Sequence, residues 1–557
     1  MLLSDILQIS LSIFWNPHVD IPLAKAPVVS LGSPYGSFRG FNAGNLTKFL
    51  GMPFAHAERF EVPKAPRLLS GVLNATDFGP ACPQQATTPN PAVVLQTYPV
   101  ISEDCLTLDV FKPAMASSKS KLPVFVWFYG GGWQIGNSRD TDVSPLVERS
   151  IEVHEPIIIV VPNYRLNAFG FLGGREVNKA GVSNLGLRDQ ISALAWVKRH
   201  ISAFGGDSGR VVIGGQSAGA VSASMLLLHN KQDSSALFRG AFMQSGVQFK
   251  SPSTFAEEQS TFNNLVVANH CDTSRDTLGC LRHVPFNSLM ATIDKTPDFL
   301  SYRSVALVWH PHVDGDVLME DAMVSVSKRH YAKMPIMTGS CDDEGTLFAL
   351  AQRNITNNVE FLQYIQSNYL PAVSLSVMEE VRALYPDNPS QGSPFNTGFS
   401  NQLTPEFKRL AAFQGDMLLT GPRRFFLEHA SATQNAWSWL DMRGKKVAAL
   451  GNVSLGAFHG IDFPLWFLLN NTTETIAADA LLNFINTLNP NHPAKSSTTK
   501  PAIFWPMWRK PSSAGKSSLL TFSDFGVVNI TADDFRVGAI GFMNDLLMGE
   551  AVREVQY

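Results

Sequence analysis

Gly215-Gln216-Ser217-Ala218-Gly219 is the one Gly-x-Ser-x-Gly in the chain. A serine hydroxyl is a weak nucleophile until a base takes its proton. The motif suits a sharp strand-to-helix turn that lifts the hydroxyl clear of a sheet. Its neighbours agree. Val211-Val212-Ile213 reads as a buried strand, and Ala218 to His229 as an apolar helix whose N-terminus favours negative charge developing nearby. An ordinary glycine-rich turn would account for the glycines, but not for their place between these two elements. A near-match upstream, Gly206-Asp207-Ser208-Gly209, runs into Arg210 and reads as a turn feeding the strand.

Acyl transfer to a serine passes through a tetrahedral oxyanion, and each backbone donor aimed at that oxygen can lower the barrier by about 3 kcal/mol. Tyr129-Gly130-Gly131-Gly132-Trp133 ends an apolar run and offers such amides. The hydroxyl also needs a base. Of 13 histidines, His459 stands out, because Gly456-Ala457-Phe458-His459-Gly460 surrounds the imidazole with small residues that let a loop approach the serine. The base in turn needs an acid to fix its tautomer and stabilise the imidazolium. Gly339-Ser340-Cys341-Asp342-Asp343-Glu344-Gly345-Thr346 offers three carboxylates, and residue type alone does not choose among Asp342, Asp343 and Glu344.

The elements that would carry these groups are short runs apolar on both faces: residues 123–129, 157–161, 211–213 and 335–337. Such runs suit parallel strands buried between helix layers. Helical patterns lie between them, including Leu187 to His200, so the alternation predicts an α/β fold with a large, mostly parallel central sheet flanked by helices. Val28 to Gly40 and Phe49 to Pro53 read as a small N-terminal antiparallel sheet, and residues 519–522 and 527–530 as a last pair of strands. The Pro-, Ser- and Lys-rich stretch 489–518 carries Ile503-Phe504-Trp505-Pro506-Met507-Trp508, which needs burial and makes it a packed loop rather than a linker.

No domain boundary stands out after residue 27. Of the 557 residues 45% are hydrophobic and 16% charged, against about 25% charged on average, which fits one large globule. The net charge of -3 offers no basic face for nucleic acid, and no run of about 18 apolar residues predicts a transmembrane helix. Four of the five cysteines could close two local loops, Cys82 with Cys105 and Cys271 with Cys280, leaving Cys341. Asn-x-Ser/Thr sequons at Asn45, Asn74, Asn354, Asn452, Asn470, Asn471 and Asn529 point with them to an oxidising, glycosylating compartment. Residues 1–26 read as a secretory leader or a disordered N-terminus: Ile6 to Trp15 is apolar and Ala24-Lys25-Ala26 resembles a cleavage site, but no basic residue opens the segment.

From about Val28 to the C-terminus the sequence resembles the type-B carboxylesterase, cholinesterase and fungal lipase family of the α/β-hydrolase fold. The resemblance rests on Ser102-Glu103-Asp104-Cys105-Leu106, on Asn163-Tyr164-Arg165-Leu166-Asn167-Ala168-Phe169-Gly170, on Asn184-Leu185-Gly186-Leu187-Arg188-Asp189-Gln190, on Phe204-Gly205-Gly206-Asp207 running into the serine motif, and on Met243-Gln244-Ser245-Gly246. It implies a cofactor-free serine esterase with Ser217 as nucleophile, His459 as base and Glu344 as acid, in the chain order of that fold. It also implies Gly131, Gly132 and Ala218 as oxyanion donors, disulfides Cys82–Cys105 and Cys271–Cys280, and a buried ion pair between Glu103 and Arg165. The expected partner is a small-molecule ester, with the chain secreted as a monomer or homodimer and without stable membrane insertion.

Departures from the family pattern bear on the substrate. Gln216 stands where cholinesterases carry Glu. The Cys82–Cys105 loop holds Tyr98 but no Trp for a quaternary ammonium group, which argues against choline esters. That loop is short and rich in proline (Pro89, Pro91, Pro99), with Val93-Val94-Leu95 its main apolar patch, so a reduced lid and soluble or moderately apolar esters, aromatic ones included, are expected. A long-chain lipase or sterol esterase is the rival enzyme. An adhesion protein on the same fold is the rival without catalysis, disfavoured because such relatives lack catalytic residues that this chain keeps.

Overall fold

The computed structural model describes residues 26–93, 96–229, 237–249, 255–469, 474–493, 497, 501–511 and 517–554. Residues 1–25 of the leader segment, Val94, Leu95, Asn470 and Asn471 therefore lie outside the described residues. The strands are β1 (Val28–Gly32), β2 (Gly36–Arg39), β3 (Phe41–Ala43), β4 (Leu46–Pro53), β5 (Val72–Asn74), β6 (Thr107–Pro113) and β7 (Leu122–Phe128). They continue with β8 (Ile158–Pro162), β9 (Gly206–Gln216), β10 (Ala241–Gln244), β11 (Ile336–Cys341), β12 (Ala436–Asp441), β13 (Ser518–Ser523) and β14 (Val527–Ala532).

Eleven of them form one sheet in the order β14-β13-β12-β11-β10-β9-β7-β8-β6-β4-β3. From β8 to β13 every neighbouring pair is parallel. The flanks, β13 with β14 and β3-β4-β6-β8, are antiparallel. The apolar runs explain the centre. Along β7, Val124, Val126 and Phe128 enter the core on one face of the sheet, and Phe125 and Trp127 the core on the other. A strand with two buried faces needs both alternating sets to be apolar.

The small sheet is separate, with order β1-β2-β5. β1 and β2 pair antiparallel as expected, and β5 adds in parallel. Phe49 to Pro53 belongs instead to β4 of the large sheet. The 489–518 stretch packs in part as expected where it is described: Trp505 and Trp508 are buried, and their indole N–H groups donate to Ser438 O at 3.1 Å and Asp533 Oδ2 at 3.0 Å, whereas Phe504 and Met507 point to solvent.

Cys82–Cys105 and Cys271–Cys280 are disulfide-bonded, and Cys341 is a buried free thiol. The expected Glu103–Arg165 pair does not form. Arg165 makes a bidentate contact with Asp189, Nε to Oδ2 at 2.8 Å and Nη2 to Oδ1 at 2.7 Å, with both residues buried. Glu103 pairs with Arg59 in the same way, at 2.8 and 2.5 Å. A planar guanidinium is best satisfied by both oxygens of one carboxylate, so each arginine takes a whole partner. The described sequons Asn45, Asn74, Asn354, Asn452 and Asn529 are all exposed.

Candidate active site

Ser217 sits between the end of β9 and the helix Ala218–Leu228, at φ 55° and ψ −126°. A non-glycine residue in that region is strained and is held there by its surroundings. Ser217 N–H donates to Gln244 O on β10 at 2.9 Å, which pins the turn to the next strand. Gly219 packs against the end of β7 so closely that a Cβ there would stand 2.1 Å from Phe128 O. The motif glycine therefore lets the helix start directly over the sheet edge, and Ser217 is left half-buried at the top.

The glycine run follows β7 onto the same edge. A Cβ on Gly130 would lie 3.0 Å from Ser217 Cβ, so the turn touches the serine. Gly131 has φ +103° and would drive a side chain to within 2.3 Å of Ile135 O, so only glycine fits there without strain. Among the described residues no backbone carbonyl takes up the amides of Gly131, Gly132 or Ala218. Trp133 locks the end of the turn, its indole N–H donating to Ser222 Oγ at 3.0 Å. Gln84, beside Cys82, holds the far side: its Oε1 accepts from Gly136 N at 2.7 Å and its Nε2 donates to Gly136 O at 3.0 Å.

Glu344 and His459, the expected acid and base, meet. His459 Nδ1 lies 2.6 Å from Glu344 Oε2, with Glu344 fully buried and the imidazole nearly so. Glu344 Oε1 accepts from Cys341 N at 2.7 Å, which leaves its other oxygen for the ring. That geometry puts the proton on Nδ1 and the lone pair on Nε2. Nε2 lies 3.2 Å from Gln216 Nε2, the amide of the residue before the serine. Among the described residues no hydrogen bond joins His459 to Ser217 Oγ. The other two carboxylates do different work: Asp342 takes Lys445 at 2.6 Å and Arg536, while Asp343 accepts from Lys445 and from backbone amides.

A cavity of about 320 Å³ opens on this constellation, bounded by Gly130, Gly131, Gln216 and His459. Val93, Ile135, Phe299, Leu347, Val447 and Phe458 make its walls apolar. The Cys82–Cys105 loop reaches it through Ala92 and Val93. The contribution of Phe299 and the Gln216–His459 contact had no local signal, since both join segments far apart in the chain. Asp140, also at the wall, accepts from Tyr98 OH at 2.7 Å and Asn137 N at 2.8 Å. Burial pushes its carboxyl up to about 6, against the opposing pull of those hydrogen bonds.

A profile described as "Carboxylesterase family" matches residues 25–516. The chain belongs to that family. The carboxylesterase is 35% identical over 554 residues to Secreted lipase 1 of Botryotinia fuckeliana, covering 94% of each chain. It is 34% identical over 540 residues to Lipase 5 of Diutina rugosa, covering 92% of this chain and 95% of that one. Among solved structures, Aspergillus niger EstA superposes with a TM-score of 0.78 at 25% identity, over 94% of this chain and 98% of its own. With a family profile across most of its length, lipase and esterase relatives, and an α/β-hydrolase sheet, the protein is a carboxylic ester hydrolase. Among the described residues no helix is long and apolar enough to cross a membrane.

Proposed function

We propose that Ser217, His459 and Glu344 are the catalytic triad of a secreted carboxylester hydrolase acting on soluble or moderately apolar esters, aromatic ones included. The observation that carries this reading is the 2.6 Å Glu344–His459 contact beside the strained serine turn. Glu344 accepts the Nδ1 proton, so Nε2 can act as base. In the arrangement seen, Gln216 occupies that nitrogen. The first step is a local exchange in which His459 trades the Gln216 amide for the hydroxyl of the next residue. Serine Oγ then attacks the ester carbonyl as its proton passes to Nε2. The new oxyanion is held by the Gly131, Gly132 and Ala218 amides. Collapse breaks the bond to the alcohol, which leaves with the proton from His459, and an acyl-serine remains. Water, deprotonated by the same nitrogen, attacks the acyl carbon. The acid departs, and the proton returns to Ser217.

The way the Cys82–Cys105 loop is tied at the cavity wall supports this substrate class. Around its tip the Cys82–Cys105 loop is held by Thr88 N and Oγ1 on Asp298 Oδ2, at 3.0 and 2.7 Å, by Ala86 N on Asp294 Oδ1 at 2.8 Å, and by Tyr98 on Asp140. A loop so tied serves as a fixed wall rather than a swinging lid. The second reading, a lipase or sterol esterase for long-chain esters, is favoured by the relatives named as lipases and by the apolar walls. Initial rate against ester concentration, carried through the solubility limit, separates them. The fixed-wall esterase saturates smoothly with short p-nitrophenyl esters, and a jump on crossing into emulsion assigns the lipase. Secretion is supported by the two disulfides, the exposed sequons and relatives named as secreted. A mass loss on endoglycosidase treatment of protein from a eukaryotic host would register the glycans.

A further inference from the structure

We propose that Asp343 is a positioning residue for the base: it holds the loop that carries His459, while its neighbour Glu344 holds the ring. The proposal rests on the triad reading above. No helix or strand spans residues 454–462, so no ladder of backbone hydrogen bonds fixes His459. Thr346 Oγ1 donates to Leu455 O at 2.7 Å and Arg443 Nη2 to Ile461 O at 3.2 Å, and between these points the loop rests on one buried carboxylate. Asp343 Oδ2 accepts from Ala457 N at 2.8 Å and from Lys445 Nζ at 2.9 Å. Its Oδ1 accepts from Phe395 N at 2.7 Å and from Ser393 Oγ at 3.0 Å. The backbone repeats the link, with Asp343 N donating to Ala457 O at 2.9 Å.

The contact is close enough to dictate sequence in the histidine loop. Gly456 has φ +68°, and a Cβ there would stand 2.2 Å from Asp343 Oδ2. Ala457 is two residues from His459, so the carboxylate sets where the loop lies and Glu344 sets how the imidazole turns within it. An asparagine at 343 keeps the shape but has one acceptor oxygen, and its NH2 group would face donors already in place. The loop must then move. A displacement of about 1 Å at a catalytic group can lower the rate about 100-fold.

Asp342 supplies the control. It shares Lys445 and adds Arg536, but among the described residues it makes no hydrogen bond or ion pair with the histidine loop. Steady-state kinetics on p-nitrophenyl butyrate, run well below each variant's unfolding temperature, test the proposal. Asp343→Asn and Gly456→Ala are each expected to lower kcat about 100-fold with KM changed by less than about threefold, while Asp342→Asn keeps kcat within about threefold even if its melting temperature falls. The proposal is overturned if Asp343→Asn keeps kcat within about threefold of the parent, or if Asp342→Asn loses as much. Should Asp343→Asn not fold, Gly456→Ala decides by the same criterion, since it presses on the carboxylate from the other loop. Ser217→Ala is run alongside. Activity surviving in it removes the triad reading itself, whereas an inactive Ser217→Ala beside a fully active Asp343→Asn removes only the positioning role.

Discussion

Ser217 is strained, and the strain places its hydroxyl at the free end of the sheet, against a glycine turn where, among the described residues, the amides of Gly131 and Gly132 have no carbonyl partner. Each of these features gives a substitution with a definite sign. Glu344→Gln removes the charge that stabilises imidazolium and leaves an amide whose NH2 can face Nδ1, so kcat is expected to fall by about 10⁴ while the fold stays intact by circular dichroism. Gly131→Ala forces a side chain into Ile135 O at positive φ and shifts one proposed oxyanion donor, with an expected loss of about 10²–10³ in kcat and little change in KM. Ser217 and His459 stood out as candidates in the sequence because a local pattern surrounds each. Residue type did not choose the acid, and only the family resemblance pointed to Glu344: three consecutive carboxylates look alike until each one's partner across the fold is known. The ring lies on Glu344 and the loop backbone on Asp343, while Lys445 bridges both aspartates and Arg536 takes Asp342.

At the scale of elements, strands and turns were readable because burial on both faces and glycine punctuation are local properties. The ion pairs were not. Arg165 sits near Glu103 in the family pattern, yet takes Asp189, a partner set by how the chain segment 163–172 meets the helix Leu185–His200. Arg165→Met leaves Asp189 buried and uncompensated, which should lower unfolding stability by about 3–5 kcal/mol, read from urea denaturation. The Cys82–Cys105 loop makes a second prediction. Tyr98→Phe removes a hydrogen bond to a carboxylate, worth about 1.5–3 kcal/mol, and frees one side of the loop tip. Limited proteolysis followed by mass spectrometry is expected to cut between residues 86 and 101 faster in the variant than in the parent. Equal rates would mean that the Asp294 and Asp298 contacts suffice.

The molecule is built on one wide sheet, with a small one beside it, and holds buried carboxylates, so its stability should carry the mark of that burial as pH changes. Asp109 lies fully buried on β6, where burial pushes its carboxyl up to about 7 despite a hydrogen bond from Gly51 N. In the unfolded chain it would titrate near ~3.9. Between those values the folded state holds a proton that the unfolded state has released, so stability from this group declines as pH rises from about 4 to about 7 and stays reduced above. Asp109→Asn removes the slope, and its stability relative to the parent should be higher at pH 8 than at pH 5 by denaturant unfolding. Asp533 has the opposite sign. Burial alone would raise it, but Arg423 and Arg424 hold it well below the usual carboxylate range. Its contribution is present above about pH 4 and is lost as pH falls further.

The account turns on one side chain performing covalent chemistry, and a fluorophosphonate probe reads that directly. Peptide mapping after labelling should place the adduct on Ser217 alone, with labelling abolished in Ser217→Ala and slowed by orders of magnitude in His459→Ala. An adduct that persists in Ser217→Ala, or one that forms at the parent rate without His459, would contradict it.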